Sequence, residues 1–186
     1  MRFEILPGLP PYGPPAISLT GRGEREFREG LVVRFYPNDS DPWIGNFVGG
    51  IFDYTTVLDH PNGRDVIVVA RGDTCIIDPE HHAVRDRIAS DTARAIAVPA
   101  LGLVVFQGSV DFSAIRSDNL RWNSPQISWD GFRKINVQET MLTGEAWSPI
   151  GDSWISFSLD LLTGHCTNGI YELEAARALR VTRKSD

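Results

Sequence analysis

Short runs of alternating apolar and polar residues, separated by turn residues, fill the chain between residues 31 and 162. The run at 31–36 is rich in β-branched and aromatic residues and stops at a Pro-Asn-Asp turn. The runs at 55–59 and 65–70 flank Pro61-Asn62-Gly63, a combination that predicts a β-hairpin. This pattern favours antiparallel strands that follow one another as a meander.

Further groups of strand-like runs follow, and the glycine of the Asp130-Gly131 turn is expected to have a positive φ. The predicted strands of these groups are 74–78, 93–98, 103–107, 110–115, 120–123, 126–129, 132–137, 140–147 and 154–160. The groups recur every 35 to 40 residues, roughly the spacing of propeller blades. We therefore predict an all-β fold, in which antiparallel meander sheets pack as a sandwich or in a propeller-like arrangement.

The two ends of the chain depart from this pattern. Five prolines fall within residues 1–21 and charged residues follow, so 1–29 is predicted to be a proline-rich and charged N-terminal arm. Residues 30–186 would then form a single β domain. Its tail at 172–180 has apolar residues at helical spacing, acidic residues first and arginines last, which predicts a short helix. Residues 78–90 could hold another helical turn.

The charge and the cysteines restrict the partners and the location. A net charge of −6 in 186 residues argues against binding to a nucleic acid backbone, which requires an excess of cationic side chains. No apolar run approaches about 18 residues, so no membrane span is expected. The sequence contains two cysteines, Cys75 and Cys166, and it does not decide whether they form a disulfide. So few thiols favour a reducing compartment, and the predicted location is the cytoplasm.

One cluster has the composition of a metal site. Asp78 is followed by His81 and His82, and carboxylate and imidazole groups are common ligands of zinc and related ions. Adjacent histidines on an extended chain point to opposite faces, so both could bind one ion only with a turn between them. No phosphate-binding loop or dinucleotide motif is present, and no catalytic set, cofactor or metal is predicted. A metal-dependent or acid/base hydrolase that uses Asp78, His81 and His82 is the alternative.

The five tryptophans favour a binding function instead. A tryptophan on a β-sheet is most often buried, so three of them are expected in the core, with one or two left near loop ends as anchors of a binding surface. Trp43 is the first candidate because it follows an acidic loop that contains Asp39 and Asp41. The two carboxylates would steer a basic protein partner, and the indole would supply buried contact area.

The sequence contains Ile-Ser-Trp-Asp-Gly at 127–131 and Leu-Asp-Leu-Leu-Thr-Gly at 159–164, with further characteristic stretches at 29–35, 43–47 and 144–149. In these stretches it resembles a family of uncharacterised bacterial proteins. The resemblance covers most of residues 29–171 and implies a bacterial source and a self-contained β domain, but no activity. We therefore expect a non-enzymatic binding protein that recognises a protein partner in an immunity-like or accessory role. A structural subunit that oligomerises through a sheet edge is a further alternative.

Overall fold

The computed structural model describes residues 2–19 and 28–168, which form β-strands joined by turns and one short 3-10 turn. The prediction of an all-β fold is confirmed. The chain divides into two compact units, residues 1–93 and 94–186. The sequence pattern did not mark this division, because strand-like runs continue across it without a linker. Packing as a sandwich or as a propeller stays a prediction.

The first unit contains two four-stranded sheets. Sheet 1 has the order β1-β3-β4-β2, in which β2 pairs with β4 in parallel and the other neighbours are antiparallel. Sheet 2 is the antiparallel meander β5-β6-β7-β8. The strands are β1 (Phe3–Leu6), β2 (Ile17–Ser18), β3 (Leu31–Phe35), β4 (Trp43–Phe47), β5 (Thr56–Asp59), β6 (Val66–Ala70), β7 (Asp73–Asp78) and β8 (Ala83–Ala89).

The core of this unit draws side chains from both of its sheets. Phe35, Trp43 and Phe47 come from sheet 1, and Val68 and Ile77 come from sheet 2. Every residue of β4 and of β6 is buried. The continuous apolar sequence of β6 agrees with the burial of side chains on both of its faces, because such a strand needs no polar face.

The second unit also contains two four-stranded sheets, and both are antiparallel meanders. Sheet 3 has the order β12-β11-β10-β9, and sheet 4 has the order β13-β14-β15-β16. The strands are β9 (Arg94–Val98), β10 (Leu103–Gln107), β11 (Phe112–Arg116), β12 (Arg121–Asn123), β13 (Phe132–Gln138), β14 (Met141–Ser148), β15 (Ser153–Asp160) and β16 (Cys166–Thr167), with a 3-10 turn at Pro99–Leu101. Their shared core includes Val105 and Phe112 of sheet 3 and Leu142, Phe157 and Leu159 of sheet 4.

The predicted proline-rich N-terminal arm is not supported, because both flanks of the prolines belong to sheet 1. Strand β1 pairs with β3 over Phe3↔Phe35 to Leu6↔Val32. Strand β2 adds to the other edge of the sheet beside β4. The five prolines fall between these two strands, where no main-chain N–H is needed for a ladder.

Of three further predictions of local structure, two are wrong and one lies outside the described residues. The helical turn proposed within 78–90 is wrong, because a tight turn leads directly into strand β8. The strand predicted at 126–129 is also wrong, because these residues form an irregular loop and the start of a bend before β13. The C-terminal helix predicted at 172–180 lies outside the described residues.

The two cysteines occupy separate cores. Cys75 packs in the core of the first unit, and Cys166 packs in the core of the second. Both are buried, and no disulfide joins them. Burial raises the pKa of the Cys75 thiol to about 12.

Candidate functional site

The predicted binding loop does not present its tryptophan. Trp43 is only 5% exposed, and its ring stacks on Phe35 with centroids 4.5 Å apart. Its indole Nε1–H donates a 2.8 Å hydrogen bond to the main-chain oxygen of Pro79. The expectation of an exposed Trp43 is therefore wrong, because this residue is the first position of a fully buried strand and not the last position of the loop.

The acidic residues of that loop do lie at the surface. Asp39 and Asp41 are exposed. The loop is held from below by Glu80, whose carboxylate accepts the main-chain N–H groups of Asn38 at 2.7 Å and of Asp39 at 3.3 Å. The structure thus separates Asp39 and Asp41 from the aromatic contact area that was expected beside them.

Asp78 and His81, two of the predicted metal or acid/base residues, form a hydrogen-bonded pair. Asp78 Oδ2 lies 3.0 Å from His81 Nδ1, with the Asp78 side chain 8% exposed and the His81 side chain 80% exposed. Asp78 Oδ1 accepts the main-chain N–H groups of Glu80 and His81 at 3.1 and 3.2 Å. Burial raises the pKa of Asp78, but the hydrogen bonds from His81 and the charge of Arg85 outweigh burial, and the net pKa is lowered.

His82 takes no part in this pair. It has a positive φ of 53°, so the chain turns between the two histidines. Its ring lies against the indole of Trp43 with centroids 4.7 Å apart. Within residues 2–19 and 28–168, no three His, Cys, Asp or Glu side chains come together as a metal-binding group. Asp78, His81 and His82 therefore do not form one ligand set.

Arg85 joins Asp78 to a second buried carboxylate. Its guanidinium contacts Asp78 Oδ2, and its Nε lies 3.2 Å from Oδ2 of Asp65, whose side chain is fully buried. Asn62 Nδ2 also donates to Asp65 Oδ2, at 2.8 Å. Arg85 on β8 thus links the end of β7 to the turn between β5 and β6. This arrangement occupies both carboxylates with structural contacts.

A different group of aromatic residues gathers at one end of sheet 4. Trp147 of β14 and Trp154 of β15 are direct cross-strand partners. Their ring centroids are 5.3 Å apart and the rings are inclined by 61°. Ala146 precedes Trp147 and is in the core, so the tryptophan side chain lies on the opposite, outer face of the sheet. Trp147 and Trp154 are half-buried.

The main chain of Trp129 lies beside that of Trp147, in a turn that Ser128 stabilises. The buried Ser128 hydroxyl accepts the N–H groups of Trp147 at 3.0 Å and of Asp130 at 3.2 Å, and donates to the oxygen of Gly131 at 2.5 Å. Trp129 N–H itself donates to the main-chain oxygen of Trp147 at 3.0 Å. The Trp129 side chain is 49% exposed. We call Trp129, Trp147, Trp154 and the exposed Ile150 of the β14–β15 turn the tryptophan surface.

Charged groups beside the tryptophan surface are paired with one another. The Arg133 guanidinium lies 4.4 Å above the ring of Trp154, a cation–π contact. Glu145 accepts hydrogen bonds from Arg133 Nε at 2.5 Å and from Lys134 Nζ at 2.9 Å. The bonds from Lys134 and Arg133 lower the pKa of Glu145. The cations at this surface are therefore partly neutralised.

The indole N–H groups distinguish core tryptophans from those of the surface. Trp43 Nε1–H donates to Pro79 and Trp122 Nε1–H donates to Leu161, each at 2.8 Å to a main-chain oxygen. In the part of the chain that the structure describes, the indoles of Trp129, Trp147 and Trp154 donate to no protein acceptor. Among the described residues, these three donors are therefore not used for hydrogen bonds within the protein.

Sequence reasoning expected one or two exposed tryptophans but selected Trp43. The better signal was the short separation of Trp147 and Trp154 across the turn 149–152. In an antiparallel hairpin, residues at equal distances from the turn face each other. Trp147 and Trp154 meet this condition, whereas Trp43 has no such partner.

Comparison of the chain with protein-family models, with curated proteins and with solved structures finds no match. A search of the described residues for a helix that is both long and apolar enough to cross a membrane finds none.

Proposed function

We propose that this chain is a non-enzymatic binding protein that recognises a protein partner through the tryptophan surface. The observation that supports this is the placement of three tryptophans at one end of sheet 4, with Trp129 about half exposed and no indole N–H of the three bonded within the described residues. Tryptophan combines a large apolar area with one donor, and is among the residues that contribute most to binding energy.

The surface is held in shape before a partner arrives. Ser128 binds the main chain of Asp130 and Trp147, and the Trp129 N–H donates to Trp147. Arg133 packs on Trp154. A rigid aromatic contact loses little conformational entropy when it binds. The acidic loop with Asp39 and Asp41 is not part of the proposed surface, because its aromatic anchor is in the core.

The most concrete form of this proposal is an immunity-like or accessory protein of the bacterial cytoplasm. It is supported by an analogy of size and charge, since the chain has 186 residues and an acidic net charge of −6. The partner expected for such a protein is another protein and not a nucleic acid.

The test compares the wild type with Trp129→Ala and with Leu120→Ala. Leu120 is an exposed apolar residue outside the tryptophan surface and serves as the control. Each protein is immobilised for capture from the source cells, and the captured partner is purified and titrated by calorimetry. Trp129→Ala should weaken the complex by about tenfold or more, and Leu120→Ala should not. Equal affinity for all three proteins would contradict the proposal.

A second candidate function rests on the Asp78–His81 pair. A carboxylate that bonds one ring nitrogen of an exposed histidine orients the ring and leaves the other nitrogen for proton transfer, as in acid/base hydrolysis. Hydrolysis of a p-nitrophenyl ester or phosphate that is lost in His81→Gln and retained in His82→Gln would favour this function. His82 serves as the control because its ring contacts Trp43.

A further inference from the structure

The loop between β1 and β2, residues 7–16, is a second exposed and uncharged feature of the chain. It contains Pro7, Pro10, Pro11, Pro14 and Pro15, and no Asp, Glu, Lys, Arg or His. Its Tyr12 is 90% exposed, the most exposed of the large apolar side chains in the described residues. We call residues 7–16 the proline segment.

The proline segment is held at both ends. Strands β1 and β2 fix its two ends in sheet 1, and the Leu9 N–H donates to Glu29 Oε2 at 3.3 Å. Gly13 has a φ of +109°, which an L-residue rarely adopts, so the chain bends next to Tyr12. The segment is therefore an anchored loop that displays Tyr12 between two proline pairs.

Such a segment has many hydrogen-bond acceptors and few donors. Proline has no N–H, so a proline-rich chain offers main-chain carbonyl oxygens as acceptors and few main-chain donors. Surfaces that recognise these chains supply aromatic rings for the prolines and side-chain donors for the carbonyls. The fixed φ of proline also reduces the entropy that is lost on binding.

The tryptophan surface has the complementary properties. Its rings are apolar, and its three indole N–H groups have no protein acceptor among the described residues. The proline segment has no charged side chain, so it does not compete for the ion pairs that Arg133 and Lys134 make with Glu145. One chain thus presents both an acceptor-rich proline segment and a donor-bearing aromatic surface.

We propose that the proline segment of one copy docks on the tryptophan surface of a second copy. This inference rests on the proposed function of that surface and specifies its partner as the proline-rich segment of the same chain. The contact is heterologous, because two different surfaces meet, and it leaves one free segment and one free surface on every dimer. Self-association should therefore proceed beyond the dimer or close into a ring.

The first experiment titrates the intact protein with a synthetic peptide of residues 7–16 and follows tryptophan fluorescence under selective excitation. The control peptide has alanine in place of Pro10, Pro11, Pro14 and Pro15. The natural peptide should shift the emission in a saturable way, and the control peptide should not. Trp129→Ala should weaken peptide binding by about tenfold or more, and Leu120→Ala should leave it unchanged. Absence of a saturable shift with the wild type would overturn the inference.

The second experiment measures assembly by sedimentation equilibrium for the wild type, Tyr12→Ala and Trp129→Ala. Each variant alone should be monomeric at concentrations where the wild type associates. A mixture of the two should form a dimer, because Tyr12→Ala keeps an intact surface and Trp129→Ala keeps an intact segment. Association by either variant alone, or a monomeric mixture, would overturn the second copy as the occupant. Melting curves of both variants confirm that each is folded.

The two proposals fail in different ways. If the partner found by capture binds the wild type more tightly than Trp129→Ala but the peptide does not bind, the surface is functional and the inference is wrong. If Trp129→Ala changes neither partner binding nor peptide binding, the proposed function is wrong as well. The proline segment has no charged side chain, so wild-type assembly should persist at high ionic strength. Dissociation by salt would overturn the inference.

Discussion

The ring of His82 lies against the indole of Trp43, with their centroids 4.7 Å apart. The turn after β7 thereby covers the start of β4, and the Trp43 indole donates to Pro79 in the same turn. Because of these two contacts, Trp43 is buried and the His82 ring packs on Trp43 instead of joining Asp78 and His81. Both the expected binding anchor and the expected third ligand are therefore used for packing.

The first prediction follows from this packing. Trp43→Ala should destabilise the protein by about 3–5 kcal/mol, because it empties a core site and leaves the Pro79 carbonyl without its donor. Urea unfolding provides the measurement. Trp129→Ala is the matched control. Because Trp129 is about half exposed, this substitution should change the unfolding free energy by only about 0.5 kcal/mol. Similar losses for the two variants would contradict the assignment of Trp43 to the core.

The sequence predicted the strands whose local pattern agrees with their place in the fold. The hairpin around Pro61-Asn62-Gly63 appears as β5 and β6, and β10 has the predicted bounds 103–107. Turn chemistry and apolar content both pointed to these elements. The positive φ expected at Gly131 is also found, at +78°.

The missed strands lack that agreement. Strand β8 has Arg85, Asp86 and Arg87 in succession at its exposed centre, so no apolar alternation reveals it. Strand β1 is four residues long and directly precedes the prolines that suggested an arm. Strand β1 pairs with β3, on the far side of the proline segment and of β2, and a single sequence does not display such a partner.

The candidate site was harder to predict because it depends on register. Trp147 and Trp154 meet only in the observed pairing, and a shift of one residue would send one of them into the core. The turn that contains Trp129 is held by the Ser128 hydroxyl, whose bonds reach residues 130, 131 and 147. None of these contacts is encoded in a short motif.

The second prediction concerns Asp78 and pH. Its folded pKa is lowered from the ordinary value of 3.8, so its contribution to stability is present above that value and is lost as the pH falls through the folded pKa. Unfolding free energies measured at acid pH should therefore fall less steeply for Asp78→Asn than for the wild type. At neutral pH the variant should be less stable, because Arg85 loses a charged partner.

The control for that experiment is Asp39→Asn, which removes an exposed carboxylate from the acidic loop. It should preserve the wild-type dependence of stability on pH. If Asp78→Asn and the wild type lose stability in parallel below pH 4 or so, the native hydrogen bonds of Asp78 do not favour its charged form, and the assignment is wrong.

The third prediction concerns Cys75. Its pKa of about 12 keeps the thiol protonated at mildly alkaline pH, and burial blocks access to it. Because the thiolate is the reactive form, iodoacetamide should alkylate Cys75 far more slowly in the native protein than in guanidinium chloride. Peptide mapping by mass spectrometry gives the extent of reaction at this residue. Native alkylation at the unfolded rate would show that Cys75 is not in the core.

The last prediction tests the turn that leads from Trp129 into β13. Gly131 has a φ of +78°, and apart from its chain neighbours no atom lies within 4 Å of the position where a Cβ would stand. A substitution there costs conformational energy without a steric clash. Gly131→Val should therefore destabilise the protein by about 1–2 kcal/mol, whereas Gly131→Asn should cost less, because asparagine adopts this backbone conformation more readily. Urea unfolding of the two variants and the wild type separates these outcomes. Equal losses for valine and asparagine, or no loss for valine, would mean that the turn does not require the left-handed conformation.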